Sequence, residues 1–253
     1  VTDELSKTTE VLKIVADVTE ENNIYDAVDK AMDQFGEIDL LVNDAGVAVP
    51  GPIWELPTRD WEWILHADLM SQVYALRKVI PIMMKQENGG DILNVASAAG
   101  LLTAPGMPAY YATKFAVVGM SEAVAYDLQA YKQDKIHIHV FTPAFVQTHL
   151  MHSEEYRPAK YTDKTDPYYQ SKAFKMGQEM AVKDLTTGLP MDTVPDTVFK
   201  GLENNDFYIL THKGIAPLVV KRAKDAVEGK APNLAELMKY PDKTHTDTTL
   251  TEF

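Results

Sequence analysis

Tyr110 and Lys114 stand four residues apart in Tyr110-Tyr111-Ala112-Thr113-Lys114. On a helix that spacing puts both side chains on one face. An ammonium beside a phenol favours the ionised phenol. Tyr110 is therefore placed to act as a general acid or base near neutral pH. Thirteen residues upstream, Ser97 ends the run Asn94-Val95-Ala96-Ser97. Its hydroxyl can hold a reacting carbonyl oxygen in position. Alone, Ser97 reads as a small residue at a strand end, and Tyr110 and Tyr111 as packing aromatics. The Lys four residues after Tyr110 singles out that tyrosine rather than Tyr111. Other chemistries are excluded or unsupported. There is no Cys, so no disulfide, thiolate metal site or Cys nucleophile. The seven His residues do not cluster. His137 and His139 alternate onto one strand face with nothing nearby to complete a ligand set, and no metal is expected.

These residues need a scaffold, and periodicity supplies alternating strands and helices. Strands are expected at Val11–Ala16, Ile38–Val42, Asp91–Val95, Ile136–Phe141 and Phe207–Leu210. Helices are expected at Thr19–Phe35, Asp60–Lys85 and Pro108–Tyr131. Thr19 is read as the N-cap of the first helix. Ile24, Val28, Ala31, Met32 and Phe35 form its apolar stripe, and Gly36 stops it. The strands are apolar rather than alternating, as in a parallel sheet buried on both faces. The fold class is therefore α/β, a doubly wound, Rossmann-like parallel sheet. Residues 1–238 read as one catalytic domain, with 148–195 a substrate-loop region and 239–253 a polar tail. The Tyr-rich stretch 156–169 reads as a substrate lid or a disordered loop. Trp54, Trp61 and Trp63 read as packing around a helix entry.

Ligands of such sheets bind at the carboxyl ends of the strands. The residues there are Asp17-Val18, Asn43-Asp44-Ala45-Gly46, Ala96-Ser97 and Pro143-Ala144-Phe145-Val146-Gln147-Thr148. With Tyr110 and Lys114, these motifs resemble the short-chain dehydrogenase/reductase family over about residues 11–210. The resemblance implies an NAD- or NADP-dependent oxidoreductase that interconverts a carbonyl and an alcohol. It assigns catalysis to Ser97, Tyr110 and Lys114. It assigns cofactor contacts to Asp17, Val18, Asn43, Ala45, Gly46, Tyr110, Lys114, Pro143, Ala144, Val146 and Thr148. Asp68 stands where many relatives place an Asn of the proton relay, so it joins the catalytic set. The local readings differ: Asp17 beside a helix cap, Asn43 satisfying backbone, Asp68 an ordinary hydrogen-bonded helix residue. Asp44 and Ala144 replace the family's Asn and Gly. Val124 and Leu128 lie on the helix that relatives use against a partner subunit, so a homodimer or homotetramer is expected.

The family's phosphate-binding Gly-x-x-x-Gly-x-Gly loop is absent. Only 16 residues precede Asp17, and the chain opens on Val1. The first strand, first helix and second strand are therefore expected in an upstream segment. A net charge of −13 argues against nucleic acid and anionic membranes as partners. No apolar run approaches a membrane span, and the polar, acidic opening is not a signal peptide. The expectation is a cytoplasmic enzyme with a small-molecule carbonyl or alcohol substrate, apolar or aromatic in character. The other reading is a non-catalytic binding or regulatory relative that keeps the fold. The Ser97, Tyr110 and Lys114 register argues against it.

Overall fold

The computed structural model describes residues 2–239. The expected polar tail falls, from residue 240 on, outside the described residues. A short α1 (Thr2–Leu5) precedes α2 (Glu21–Phe35) and β1 (Leu40–Asn43). Next come α3 (Thr58–Ile64), a π-helical turn at Leu65–Met70, and α4 (Ser71–Met83). They run as one element across the expected 60–85 helix. β2 (Gly90–Val95), α5 (Pro108–Ala130) and β3 (Ile136–Thr142) form the centre. Then follow α6 (Lys172–Thr186), α7 (Val194–Glu203), β4 (Tyr208–Leu210), α8 (Ala216–Val227) and α9 (Leu234–Leu237).

Among the described residues the sheet has four parallel strands in the order β1-β2-β3-β4. Leu41 sits opposite Ile92, Leu93 opposite His139, and Phe141 opposite Ile209. Parallel pairing with helical crossovers gives the α/β, Rossmann-like sheet read from the sequence. One large core lies under α4 and α5, where Leu76, Val79, Met83 and Leu128 pack on Ile92, Ile136 and Ile138. Leu128 is 6% exposed, and the partly buried Val124 packs on the same cluster. Both belong to the core of this chain rather than to a free face. A second core gathers Val47, Val49, Leu56, Trp63 and Ile64 with Tyr161 and Tyr168. The Trp expectation divides: Trp63 is buried and Trp61 packs on that core, but Trp54 is 81% exposed.

Two local expectations are corrected. Val11–Ala16 is not a strand. An extended segment becomes a strand only through a ladder, and no described residue pairs with it. The Thr19 cap is also displaced. The helix starts at Glu21 after Glu20. The Thr19 N–H and hydroxyl both bond Asp17 Oδ1, at 2.9 and 2.7 Å. The short Asp side chain turns the backbone before the helix can use Thr19. Gly36 ends the helix in the left-handed region, at φ 84°.

Candidate active site

β2 and β3 deliver the first two parts of the site. Past β2, Ser97 caps a 3-10 turn at Ala98–Gly100, its Oγ accepting the Ala99 N–H at 3.1 Å. The same hydroxyl donates to the Pro143 carbonyl at 3.3 Å. The Ala98 N–H reaches that carbonyl at 2.8 Å. The two strand ends are thus tied together. Gly100 brings this turn onto α5: a Cβ there would stand 2.7 Å from the Lys114 carbonyl oxygen. Only a residue without a side chain permits that approach.

α5 delivers the third part. Pro108 occupies its first turn, where a missing N–H costs nothing. Tyr110 and Lys114 then share a face, the Lys114 Nζ lying 5.5 Å from the Tyr110 ring centre. The ammonium donates to the Val95 carbonyl at 3.4 Å and stands 3.2 Å from Asp68 Oδ2. Asp68 comes from the π-helical turn. Its Oδ1 accepts the Val47 N–H at 2.7 Å, and Gly46 backs onto both charged groups. Asp68 is fully buried and Lys114 is 4% exposed. Burial pushes the Asp68 carboxyl up, with the Lys114 charge and the Val47 N–H opposing. Burial alone would lower Lys114, but the Asp68 carboxylate and Tyr110 reverse that and raise it.

Ser97, Tyr110 and Ala144 line one cavity of about 870 Å³. Its walls are largely apolar, from Ala48, Leu102, Phe145, Leu150, Met151 and Leu185. Val18, Asn43, Asp44 and Ala45 line a separate groove of about 840 Å³ beside β1. Asn43 Nδ2 donates to Asn94 Oδ1 at 2.8 Å, and Asn94 Nδ2 to Ser121 Oγ at 2.9 Å. Asn43 thus has a structural bond as well as a place in the groove. Asp17 spends Oδ1 on Thr19. Val146 is buried and bridges Leu189. Thr148 is exposed, and its hydroxyl accepts the Leu150 N–H at 3.5 Å. Thr148 does not line the cavity.

Sequence reasoning missed two supports. The Ala144 N–H donates to Thr211 Oγ at 3.2 Å, and that oxygen lies 2.6 Å from His212 Nδ1. Thr211 and His212 follow β4 directly, so the strand-end rule applied to the other strands also finds them. The second support had no sequence signal. The 150–170 segment is a run of 3-10 turns whose Tyr161 and Tyr168 cap the second core. Arg157 Nη2 meets Asp60 Oδ1 at 2.7 Å, and Tyr169 donates to Asp60 Oδ2 at 2.8 Å. The guanidinium stacks 4.0 Å over Trp63. Burial and the Asp60 carboxylate push the Tyr169 phenol up, which keeps it a donor. Gly51, at φ 141°, lies where the Tyr168 hydroxyl would stand 2.8 Å from a Cβ. The cap closes there.

Among the described residues no helix is long and apolar enough to cross a membrane. No described group of three or more His, Asp or Glu is placed to hold a metal ion.

Residues 1–158 match the family described as short chain dehydrogenase. A "CLA biosynthesis dehydrogenase/reductase" of Lactiplantibacillus plantarum is 59% identical over 230 residues, 91% of this chain and 80% of that protein. A "D-beta-hydroxybutyrate dehydrogenase" of Rhizobium meliloti (strain 1021) is 33% identical over 144 residues, 57% of this chain. The match spans about half of that relative, 54% of its length. Among solved structures, a short chain dehydrogenase/reductase from Burkholderia phymatum in complex with NAD superposes with a TM-score of 0.86. It is 30% identical, covering 92% of this chain and 82% of that one.

Proposed function

Because the chain belongs to the short-chain dehydrogenase family of oxidoreductases, we propose that it interconverts an apolar alcohol and its carbonyl with NAD or NADP. The observation that carries this reading is the shared cavity: Ser97 and Tyr110 open on it together, with Lys114 buried behind them. The apolar walls support an apolar substrate.

The residues present fit a nicotinamide cofactor. An ammonium has three N–H donors. Lys114 directs one to Val95 and faces Asp68 with another, which leaves a donor for a ribose hydroxyl. Val18, Asn43 and Ala45 would hold the adenosine end in their groove, with Asp17 Oδ2 not engaged by Thr19. Gly46, Pro143, Ala144, Val146 and Thr148 would border the nicotinamide end. When bound, the cofactor supplies or accepts the hydride.

The chain's own groups do the rest. The Ser97 hydroxyl, already oriented by Ala99 and Pro143, holds the carbonyl oxygen. Tyr110 gives that oxygen its proton in reduction and takes it back in oxidation. The Lys114 charge stabilises the phenolate left behind, and Asp68 keeps that charge in place. The walls keep water from the reacting atoms.

Tyr110→Phe removes only the hydroxyl, so the fold survives, as read by circular dichroism. Turnover should fall about 10²–10⁴-fold, and Tyr111→Phe should do far less. Near-normal turnover by Tyr110→Phe would refute the assignment.

A further inference from the structure

β3 and β4 stop at Thr142 and Leu210, which face each other across the ladder. Two residues on, the Ala144 N–H finds Thr211 Oγ at 3.2 Å. A side-chain hydroxyl accepts there where regular pairing would offer a backbone carbonyl. Thr211 is 5% exposed and His212 1%. His212 Nδ1 stands 2.6 Å from the same hydroxyl, close enough to hold its rotation whichever of the two donates. Neither residue lines the cavity. The chain then enters α8, whose Leu218 and Lys221 do, as does Glu236 of α9.

The Ala144 N–H and the Pro143 carbonyl are the two ends of one peptide group. That group is planar, so a partner that fixes the N–H also fixes the direction of the carbonyl. Ser97 leans on that carbonyl, which accepts the Ser97 hydroxyl at 3.3 Å and the Ala98 N–H at 2.8 Å. A peptide that donates through its N–H also accepts more strongly at its carbonyl. An unbroken line of hydrogen bonds thus runs from His212 through Thr211 and the 143–144 peptide to the Ser97 hydroxyl. It begins outside the cavity wall and ends in it, at Ala144 and Ser97.

We infer that Thr211, with His212 holding its hydroxyl, is a positioning residue for the carbonyl/alcohol chemistry. It sets the plane of the Pro143–Ala144 peptide, and through it the place from which Ser97 meets the substrate oxygen. The inference rests on the reading of Ser97 and Tyr110 above. In the free protein the Ser97 proton points to Pro143; with substrate bound it turns to the substrate oxygen. A carbonyl held in one plane lets that proton turn while Oγ stays in place, since Ala99 still donates to it. With the plane released, Oγ shifts and fewer bound molecules stand in reacting geometry. Binding itself is untouched, because Thr211 does not line the cavity.

2-Octanol and 2-octanone, an apolar secondary alcohol and its ketone, serve as probes with NAD(H) or NADP(H) and the full chain. Thr211→Val keeps the shape and removes the hydroxyl. It should lower kcat about 3- to 10-fold, the range of one hydrogen bond, with KM for either probe unchanged. Thr211→Ser should restore kcat, and His212→Gln should lower it in the same sense as Thr211→Val. A second measurement needs no turnover. Ser97→Ala and Thr211→Val act on one peptide, so their combined fall in melting temperature should be less than the sum of the separate falls. Additive falls overturn the inference, as does an equal loss of kcat in Thr211→Ser and Thr211→Val, or an unchanged kcat in both Thr211→Val and His212→Gln. If the wild type turns over neither probe, or Tyr110→Phe keeps full turnover, the underlying reading fails instead. The melting temperatures then still decide whether Thr211 and Ser97 act as one.

Discussion

Asp68 and Lys114 face each other at 3.2 Å with almost no water on either. Breaking such a pair from one side strands the other charge. Asp68→Asn keeps an oxygen for the Val47 N–H but removes the negative charge. Lys114, now raised by that charge, then falls under the pull of burial. A lysine held above its unfolded value of 10.5 stabilises the fold below that pH. The contribution is lost as pH rises through the folded value. Without Asp68 the lysine is no longer raised, so there is little of that contribution to lose. The alkaline limb of kcat/KM should move down in Asp68→Asn, and the fall of stability above pH 10.5 should shrink. Profiles that overlay the wild type would remove Asp68 from any role in the site. The Ser97, Tyr110 and Lys114 set was legible because its spacing is local. Asp68 was legible only through resemblance, since nothing near it in the chain reveals Lys114. Arg157 and Asp60 were not legible at all: 97 residues separate them, and each looks like an ordinary surface charge in the sequence.

The elements nearest the sheet centre were the readable ones, because β2, β3 and α5 carry long apolar patterns. The segment 148–195 hid α6, whose exposed Met176 and Met180 blur the stripe that marks a helix. Val11–Ala16 failed for the opposite reason: its residues suit a strand, but strand state depends on a neighbour. The cap over 150–170 is held through its clamp rather than through regular structure. Asp60→Ala strips the Arg157 guanidinium, with its side chain 3% exposed, of its buried carboxylate and leaves it the half-exposed Glu154. We expect a loss of about 1.5–3 kcal/mol, read as a lower thermal midpoint, and a raised KM as the cap loosens. A second tie, Arg59 to Asp163 at 2.7 Å, adds a pH response. Hydrogen bonds from Thr165 and the Arg59 pair hold the Asp163 carboxyl down at about 2. A depressed carboxyl contributes stability above its unfolded value of 3.8 and loses it as pH falls through the folded one. Fluorescence of Trp63, under the clamp, should therefore change between those two pH values, and Arg59→Gln should move that change upward.

At the scale of the molecule, the alternation of strand and helix patterns foretold the class of fold, and composition the sign of the surface. With a pI near 4.9, self-repulsion vanishes in mildly acid solution. Light scattering at fixed concentration should peak near that pH and fall toward neutrality. A minimum there would contradict the charge balance. The two sides of the cavity also differ in what fastens them. The cap side is fixed by a desolvated ion pair under stacked aromatics, whose opening exposes two charges and a core. The α8–α9 side is fixed by the Lys221–Glu236 contact, with side chains 30% and 48% exposed, which water can replace at little cost. Opening free energies differ from place to place within one fold, and release often limits an enzyme's turnover. Product should therefore leave beneath α9, so the residence time of the bound molecule is set by the weakest fastening and not by the cap.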